Sequence, residues 1–168
     1  MHKVKNKAVF LDRDGVINLD LGYVCKITDF YWVRGIKKVI LYLKKKNFLI
    51  IVITNQSGIA RGMYSNKDVK ILHNYINKQL LKIDCCMDAF YYCPHHPQGI
   101  IKKYKKKCNC RKPKNGMIKK AIKEWSIDIK KSFMIGDQKT DLLAAKKSNL
   151  KFIYIKKNKF YKKIKELI

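Results

Sequence analysis

Acidic residues are scarce in this chain of 168 residues: Asp and Glu number 12, against 39 Lys and Arg. The resulting net charge of +27 is typical of proteins that bind nucleic acid or an anionic membrane. Two features weaken that interpretation. Arginine, which makes most bidentate contacts to phosphates and bases, occurs only 4 times. Lys, Ile and Asn are abundant, and their codons are rich in A and T, so the charge also fits a biased genome.

Long apolar runs are also lacking. No stretch reaches the roughly 18 apolar residues that a membrane-spanning helix needs. The first apolar stretch, Ala8–Leu11, ends at Asp12 and is too short for a signal peptide. We therefore expect a cytoplasmic protein that does not bind membranes. The length and the apolar content of 47% predict one folded domain over residues 1–168.

Short apolar runs alternate with amphipathic segments along the chain. The runs predict strands at 8–11, 48–53, 88–92, 133–135 and 152–155. The amphipathic segments predict helices at 35–46, 65–82, 115–125, 142–147 and 158–168, the second of them capped by Ser65. This alternation predicts an α/β fold with a doubly wound, mainly parallel sheet, in which ligands bind at the carboxyl ends of the strands.

The scarce acids cluster near those strand ends. Asp12, Thr54 and Asp137 each come just after a predicted strand, so they should meet at one edge of the sheet. Asp12 and Asp14 share a tight turn and repel each other unless a cation lies between them. Alone, each residue is explained by a polar turn, a strand-end hydroxyl or a helix cap. Together, and with Asp141 nearby, they favour a Mg²⁺ site that contacts phosphate.

Cysteine and histidine form a second cluster. Cys93, Cys108 and Cys110, with either His95 or His96, make the tetrahedral ligand set of a structural Zn²⁺ site, and the spacing does not choose between the histidines. The alternative is a group of reduced surface thiols. Cys25, Cys85 and Cys86 have no such partners and are expected to be core or free thiols. A metal on Cys110 would also orient the two cations that follow it, Arg111 and Lys112.

The acidic motifs resemble those of the haloacid-dehalogenase-like (HAD) phosphatases. The resemblance is carried by residues 10–18, 53–58, 112 and 136–141, and it extends over about residues 7–155. It implies that Asp12 is a nucleophile forming an aspartyl-phosphate and that Asp14 is the general acid and base. It further implies that Thr54 and Lys112 hold the phosphoryl group, and that Mg²⁺ is bound by Asp12, Asp137 and the backbone carbonyl of Asp14. The motifs are too closely spaced for a large cap domain.

Three further segments, 92–99, 108–113 and 55–62, narrow the resemblance to the D-glycero-D-manno-heptose 1,7-bisphosphate phosphatases. That resemblance implies Zn²⁺ on Cys93, His95, Cys108 and Cys110, within a loop inserted at about residues 93–110. It also implies a sugar bisphosphate bound by a larger set of residues: Asp20, Leu21, Gly22, Tyr23, Asn55, Gln56, Ser57, Arg111 and Lys112. Gln138 stands where close relatives often carry Lys, and we include it in the substrate site. Arg61 or surface lysines are the candidate contacts for the second phosphate.

Three alternatives stay open at this point. Histidinol-phosphate phosphatases share the acidic motif and the zinc loop, and a polynucleotide 3′-phosphatase would explain the charge. A basic zinc module that binds nucleic acid without catalysis is the third, but it has no use for Asp12, Asp14 and Asp137 at one edge. Our expectation is a monomeric sugar-bisphosphate phosphatase, acting in lipopolysaccharide precursor synthesis, without a specific nucleic-acid partner.

Overall fold

A computed structural model describes residues 5–155 and Ile164. It contains five strands: β1 (Ala8–Leu11), β2 (Leu49–Asn55), β3 (Ala89–Cys93), β4 (Phe133–Gly136) and β5 (Lys151–Tyr154). The four helices are α1 (Ile36–Lys45), α2 (Asn66–Leu81), α3 (Gly116–Glu124) and α4 (Lys139–Lys146), with 3₁₀ turns at Ile27–Asp29 and Ile129–Lys131. Along this part of the chain, no helix has the length and apolar character that crossing a membrane requires.

The strands form one parallel sheet in the order β3-β2-β1-β4-β5. The predicted doubly wound α/β fold is therefore confirmed. Because the strand order reverses beside β1, the carboxyl ends of β1 and β4 flank a crevice where ligands bind in folds of this type.

Alternation along each buried strand builds a core on both faces of the sheet. In β1, Val9 and Leu11 pack into the cluster that includes α1 and α2, whereas Ala8 and Phe10 pack into the cluster that includes α3 and α4. All four residues are fully buried. The sheet is thus the middle of three layers, and polar groups can gather only at its edges.

One strand was predicted to end two residues too early. β2 continues through Asn55, so Thr54 lies inside the strand and not after it. α4 begins at Lys139, so Asp141 lies in the helix as expected; it accepts a hydrogen bond from the amide of Gln138 and closes a polar first turn. The Ser65 cap of α2 is present, with Asp68 completing a capping box. The helix predicted over 158–168 lies outside the described residues, apart from Ile164, which is buried in the core.

The connections at the carboxyl edge are short. The segment between β1 and α1 contains a single 3₁₀ turn, and residues 94–115 between β3 and α3 contain no helix or strand. The described residues therefore include no large cap domain, as the motif spacing predicted.

Candidate active site and metal centre

Three carboxylates converge where β1 and β4 end. Asp12 follows β1, Asp137 follows β4, and Asp141 lies in the first turn of α4. Oxygens of the three lie within 4.8 Å of one another. Asp12 is 7% exposed and Asp141 is fully buried. Gly15 permits the approach of Asp137, because a Cβ at this glycine would lie 2.2 Å from Asp137 Oδ2. Such a concentration of buried negative charge requires compensation.

Lys112 supplies part of that compensation. Its Nζ lies 2.8 Å from Asp12 Oδ1 and 2.7 Å from Asp141 Oδ1, and it donates to the carbonyl of Ile53 at 2.9 Å. Burial opposes the charged form of Lys112, but the carboxylates of Asp12 and Asp141 outweigh it and raise the pKa of Lys112. The ammonium group therefore stays charged between two acids.

One cation among three acids leaves negative charge uncompensated. Burial raises the pKa of Asp12 and of Asp137, which means that each carboxylate is less stable there than in water. Oδ1 of Asp137 is buried and has no hydrogen-bond partner among the described residues. Oxygen ligands, excess negative charge and an unpaired carboxylate oxygen are what a Mg²⁺ ion requires, so the residues fit that ion.

The sequence suggested that a metal cation offsets the repulsion between Asp14 and Asp12, but the carboxylate of Asp14 is paired with Arg13. That carboxylate does not depend on a metal to offset Asp12, because the fully buried Arg13 donates to Asp14 Oδ1 from Nε and Nη2 at 3.2 and 2.8 Å. Asn18 also donates to Oδ1 at 3.0 Å, and Gln56 donates to Oδ2 at 3.1 Å. Asp14 is thereby held in one orientation at the cavity wall.

A cavity of about 280 Å³ opens beside these acids. Ten of its lining residues were predicted as site residues: Asp12, Asp14, Asp20, Gly22, Tyr23, Thr54, Asn55, Ser57, Lys112 and Gln138. Tyr64 and Thr140 complete the lining and were not predicted. Leu21, Gln56, Arg61 and Arg111 do not line it.

Two predicted substrate ligands use their side chains for internal contacts. Asn55 donates to the carbonyl of Lys112 at 3.1 Å and accepts from its amide at 3.0 Å, so it fixes the backbone that carries the lysine. Gln56 is 1% exposed, and its amide contacts Thr54, Asp14 and Tyr64. Their amide groups position other members of the site.

The cysteine and histidine cluster lies at the same edge of the sheet. Cys93 is the last residue of β3 and pairs in register with Asn55 of β2. Its Sγ lies 3.5 Å from that of Cys108 and 3.1 Å from that of Cys110, and His95 Nδ1 lies 3.7 Å from Cys93 Sγ and 3.4 Å from Cys110 Sγ. The three cysteines are free thiols. Four soft ligands so close together fit a tetrahedral Zn²⁺ site.

The structure separates the two candidate histidines. His95 belongs to the thiol cluster. His96 points elsewhere: its Nδ1 accepts from the amide of Gln98 at 3.1 Å, and its Nε2 lies 3.4 Å from Nη2 of Arg61. Burial lowers the pKa of His96, and Arg111 and Arg61 lower it further. His96, Arg61 and Arg111 therefore form a basic group beside the cluster.

Sequence reasoning missed Arg13, Asn18 and Tyr64. Arg13 and Asn18 both lay inside the acidic motif at residues 10–18, where polar side chains beside two aspartates were a usable signal. Tyr64 carried none, because its relevance depends on how its loop folds back on Gln56.

Comparisons with known proteins agree with this geometry. Residues 109–166 match the family model described as HAD-hyrolase-like. A D-glycero-beta-D-manno-heptose-1,7-bisphosphate 7-phosphatase from Haemophilus ducreyi is 46% identical over 146 residues, covering 86% of this chain and 80% of that protein. The protein of the same name from Escherichia coli K12 is 43% identical over 143 residues, covering 85% and 75%.

Among solved structures, the D,D-heptose 1,7-bisphosphate phosphatase from B. bronchiseptica, complexed with magnesium and phosphate, matches with a TM-score of 0.78. It is 29% identical, and the match covers 87% of this chain and 78% of that one.

Proposed function

We propose that this chain, which belongs to the D-glycero-beta-D-manno-heptose-1,7-bisphosphate 7-phosphatase family of HAD-superfamily phosphoric monoester hydrolases, removes the 7-phosphate of that sugar bisphosphate. The observation that carries the proposal is the convergence of Asp12, Asp14, Thr54 and Lys112 on one cavity. The product of the proposed reaction would be a precursor of the ADP-heptose used in the lipopolysaccharide core.

Asp12 is the proposed nucleophile. Its Oδ1 is held by the amide of Arg13 at 2.7 Å and by Lys112, which leaves Oδ2 to attack phosphorus. As the bond from phosphorus to the sugar oxygen breaks, Asp14 gives a proton to that oxygen. Water then attacks phosphorus, gives its proton to Asp14, and the bond to Asp12 breaks to release inorganic phosphate. Covalent catalysis of this kind divides one difficult displacement into two easier ones.

Thr54 and Lys112 are the proposed contacts for the phosphoryl oxygens. Both line the cavity, and Lys112 brings a fixed positive charge to the place where negative charge accumulates. Preorganised charge of this kind acts most strongly in a site from which water is partly excluded.

Asp12, Asp137 and the backbone carbonyl of Asp14 would hold Mg²⁺. When bound, the ion would offset the repulsion between the carboxylates and the incoming phosphate. This assignment is supported by the unpaired oxygen of Asp137, by the crowding of three acids and by the magnesium in the B. bronchiseptica relative. Asp141, paired with Lys112, would hold the lysine in place.

The group of His96, Arg61 and Arg111 is the proposed contact for the second phosphate. Because His96 Nδ1 accepts a backbone amide, a neutral His96 carries its proton on Nε2. Two donors, Nε2 and Arg61 Nη2, then face each other at 3.4 Å, and Nε of Arg61 is buried without a partner among the described residues. A phosphate near these groups would accept hydrogen bonds from Nε2 of His96 and from Nη2 and Nε of Arg61.

Cys93, His95, Cys108 and Cys110 are the proposed ligands of a structural Zn²⁺ ion. The cluster directly precedes Arg111 and Lys112, so an ion there would fix the backbone that carries both cations. The loop over about residues 93–110 would then be rigid and would hold His96 beside Arg61.

A phosphate-release screen tests the proposed function. D-glycero-D-manno-heptose 1,7-bisphosphate, fructose 1,6-bisphosphate and histidinol phosphate are each offered with and without Mg²⁺. We expect the heptose bisphosphate to give the highest kcat/KM, to yield the 1-phosphate, and to require Mg²⁺. A preference for histidinol phosphate would replace the proposed substrate, and full activity in EDTA would remove the magnesium assignment.

A further inference from the structure

We propose that Tyr64 is a positioning residue for the phosphatase reaction, acting through the side-chain amide of Gln56 on Asp14 and Thr54. The proposal rests on the roles of Asp14 and Thr54 in the proposed function. Tyr64 lies outside the acidic and threonine motifs, on the loop that leads from β2 to α2, and it lines the cavity.

A short chain of hydrogen bonds connects these residues. The hydroxyl of Tyr64 donates to Oε1 of Gln56 at 2.7 Å. Nε2 of Gln56 then donates to Oδ2 of Asp14 at 3.1 Å and to Oγ1 of Thr54 at 2.9 Å. Gln56 is 1% exposed, so water does not readily replace these partners.

The direction of the chain is set by Asp14. Oδ2 of Asp14 accepts a hydrogen bond from Nε2 of Gln56, so the NH₂ end of Gln56 faces Asp14 and the carbonyl end faces away. The buried carbonyl then needs a donor, and Tyr64 supplies it. Leaving that oxygen unpaired would leave its desolvation uncompensated, and flipping the amide would set its oxygen against the carboxylate. The hydroxyl of Tyr64 therefore stabilises one orientation of Gln56.

The same direction decides what Thr54 can do. Because Gln56 donates to Oγ1, that hydrogen bond does not use the proton of Thr54. Thr54 lines the cavity, so its hydroxyl is able to donate to a phosphoryl oxygen there. The amide of Gln56 thus orients Asp14, which protonates the leaving group, and leaves the hydroxyl of Thr54 free to donate to the phosphate.

Tyr64 is itself held firmly. A Cβ on Gly58 would lie 2.2 Å from Cε1 of Tyr64, so the ring occupies the space that the missing side chain leaves. Burial raises the pKa of the Tyr64 hydroxyl above its ordinary value, so the hydroxyl keeps the proton that it donates. Tyr64→Phe should retain this ring packing and remove only the hydrogen bond.

The test compares phenyl phosphate with p-nitrophenyl phosphate. Phenolate is a basic leaving group that benefits from a proton, whereas nitrophenolate departs readily without one. Tyr64→Phe should therefore lower kcat/KM about tenfold more for phenyl phosphate than for p-nitrophenyl phosphate, which corresponds to about 1.4 kcal/mol. Tyr91→Phe is the matched control: it removes a hydroxyl that contacts Glu124 and Trp125, outside the cavity, and should leave the ratio unchanged.

A double-mutant cycle shows whether Tyr64 acts through Gln56. In a Gln56→Leu background, Tyr64→Phe should have no further effect on the ratio. Equal losses for both substrates, or the same tenfold change without Gln56, would overturn the proposal, as would a wild-type protein that hydrolyses neither aryl phosphate. A wild-type protein that hydrolyses the aryl phosphates but not the heptose bisphosphate would instead count against the proposed substrate. The comparison of the two aryl phosphates would still test the role of Tyr64.

Discussion

Each acid at the carboxyl edge of the sheet has its own means of charge compensation. Asp14 is paired with a buried guanidinium, Asp12 and Asp141 share Lys112, and Asp137 keeps an unpaired oxygen. This division matches three different tasks in the proposed reaction: proton transfer, attack on phosphorus and metal binding. The chemistry of one edge therefore depends on partners selected residue by residue.

Arg61 gives a prediction at this scale. Arg61→Ala should raise KM for the heptose bisphosphate at least about tenfold while changing kcat little, because a contact to the non-reacting phosphate is the same before and during reaction. KM for an aryl monophosphate should stay near the wild-type value. Arg34→Ala removes an exposed arginine and serves as the control. Equal changes for both substrates would exclude Arg61 from the second-phosphate site.

At the scale of elements, the strands could be predicted because they are short apolar runs between polar turns. β1 was predicted with both ends correct. The first residue of α4 could not be predicted, since its first turn is built from Lys139, Thr140 and Asp141 and lacks apolar periodicity. The acids were found because strand ends bring them together, and the thiols because their residue types and spacing match a Zn²⁺ ligand set. The contact of Tyr64 with Gln56 could not be found, because it depends on how a loop folds back.

The loop with the thiol cluster gives a second prediction. Cys108→Ser should lower bound zinc well below one ion per chain, reduce the melting temperature, and reduce activity, because Arg111 and Lys112 follow the cluster directly. Cys86→Ser, a half-buried free thiol on another loop, is the control and should keep its zinc. Metal analysis of both purified variants measures this. An unchanged zinc content in Cys108→Ser would make the ligand set wrong.

α2 carries a buried histidine that makes stability depend on pH. His73 stacks on Phe90 with ring centroids 4.3 Å apart, and burial, aided by Arg13, lowers the pKa of His73 from 6.5 to about 3. Between these values the unfolded chain takes up a proton that the folded chain does not. The free energy of unfolding therefore falls as the pH decreases below 6.5.

This linkage gives a third prediction. On going from pH 7 to pH 5, the wild type should lose about 2 kcal/mol more stability than His73→Leu, which lacks the titrating group. Urea unfolding of both proteins at the two pH values measures the difference. Identical losses in the two proteins would show that His73 does not titrate as its burial requires.

For the whole molecule, the net charge of +27 surrounds a site built from acids. Four of the 12 acidic residues, Asp12, Asp14, Asp137 and Asp141, lie at one edge of the sheet. A surface dedicated to nucleic acid gains nothing from that arrangement. We propose that the surplus lysines are mostly background, with a modest attraction for an anionic sugar phosphate over a distance.

That explanation gives a fourth prediction. Raising NaCl from about 20 to about 200 mM should lower kcat/KM for the heptose bisphosphate several-fold and leave kcat nearly constant. The reason is that salt screens the long-range attraction between protein and substrate but does not alter the chemical step within the complex. Addition of duplex DNA at the higher salt should not inhibit. Tight DNA binding that persists at high salt, in a protein that releases no phosphate, would favour the nucleic-acid module instead.

The most direct test of the central claim is to look for the phosphorylated Asp12. Protein mixed with heptose bisphosphate and Mg²⁺ is quenched in acid during turnover and analysed by peptide mass spectrometry. We predict one phosphoryl group on the peptide Ala8–Arg13, lost on treatment with hydroxylamine and absent from Asp12→Asn, which should remain folded and inactive. Phosphate release by Asp12→Asn at a near-native rate, or a phosphoryl group on another residue, would contradict it.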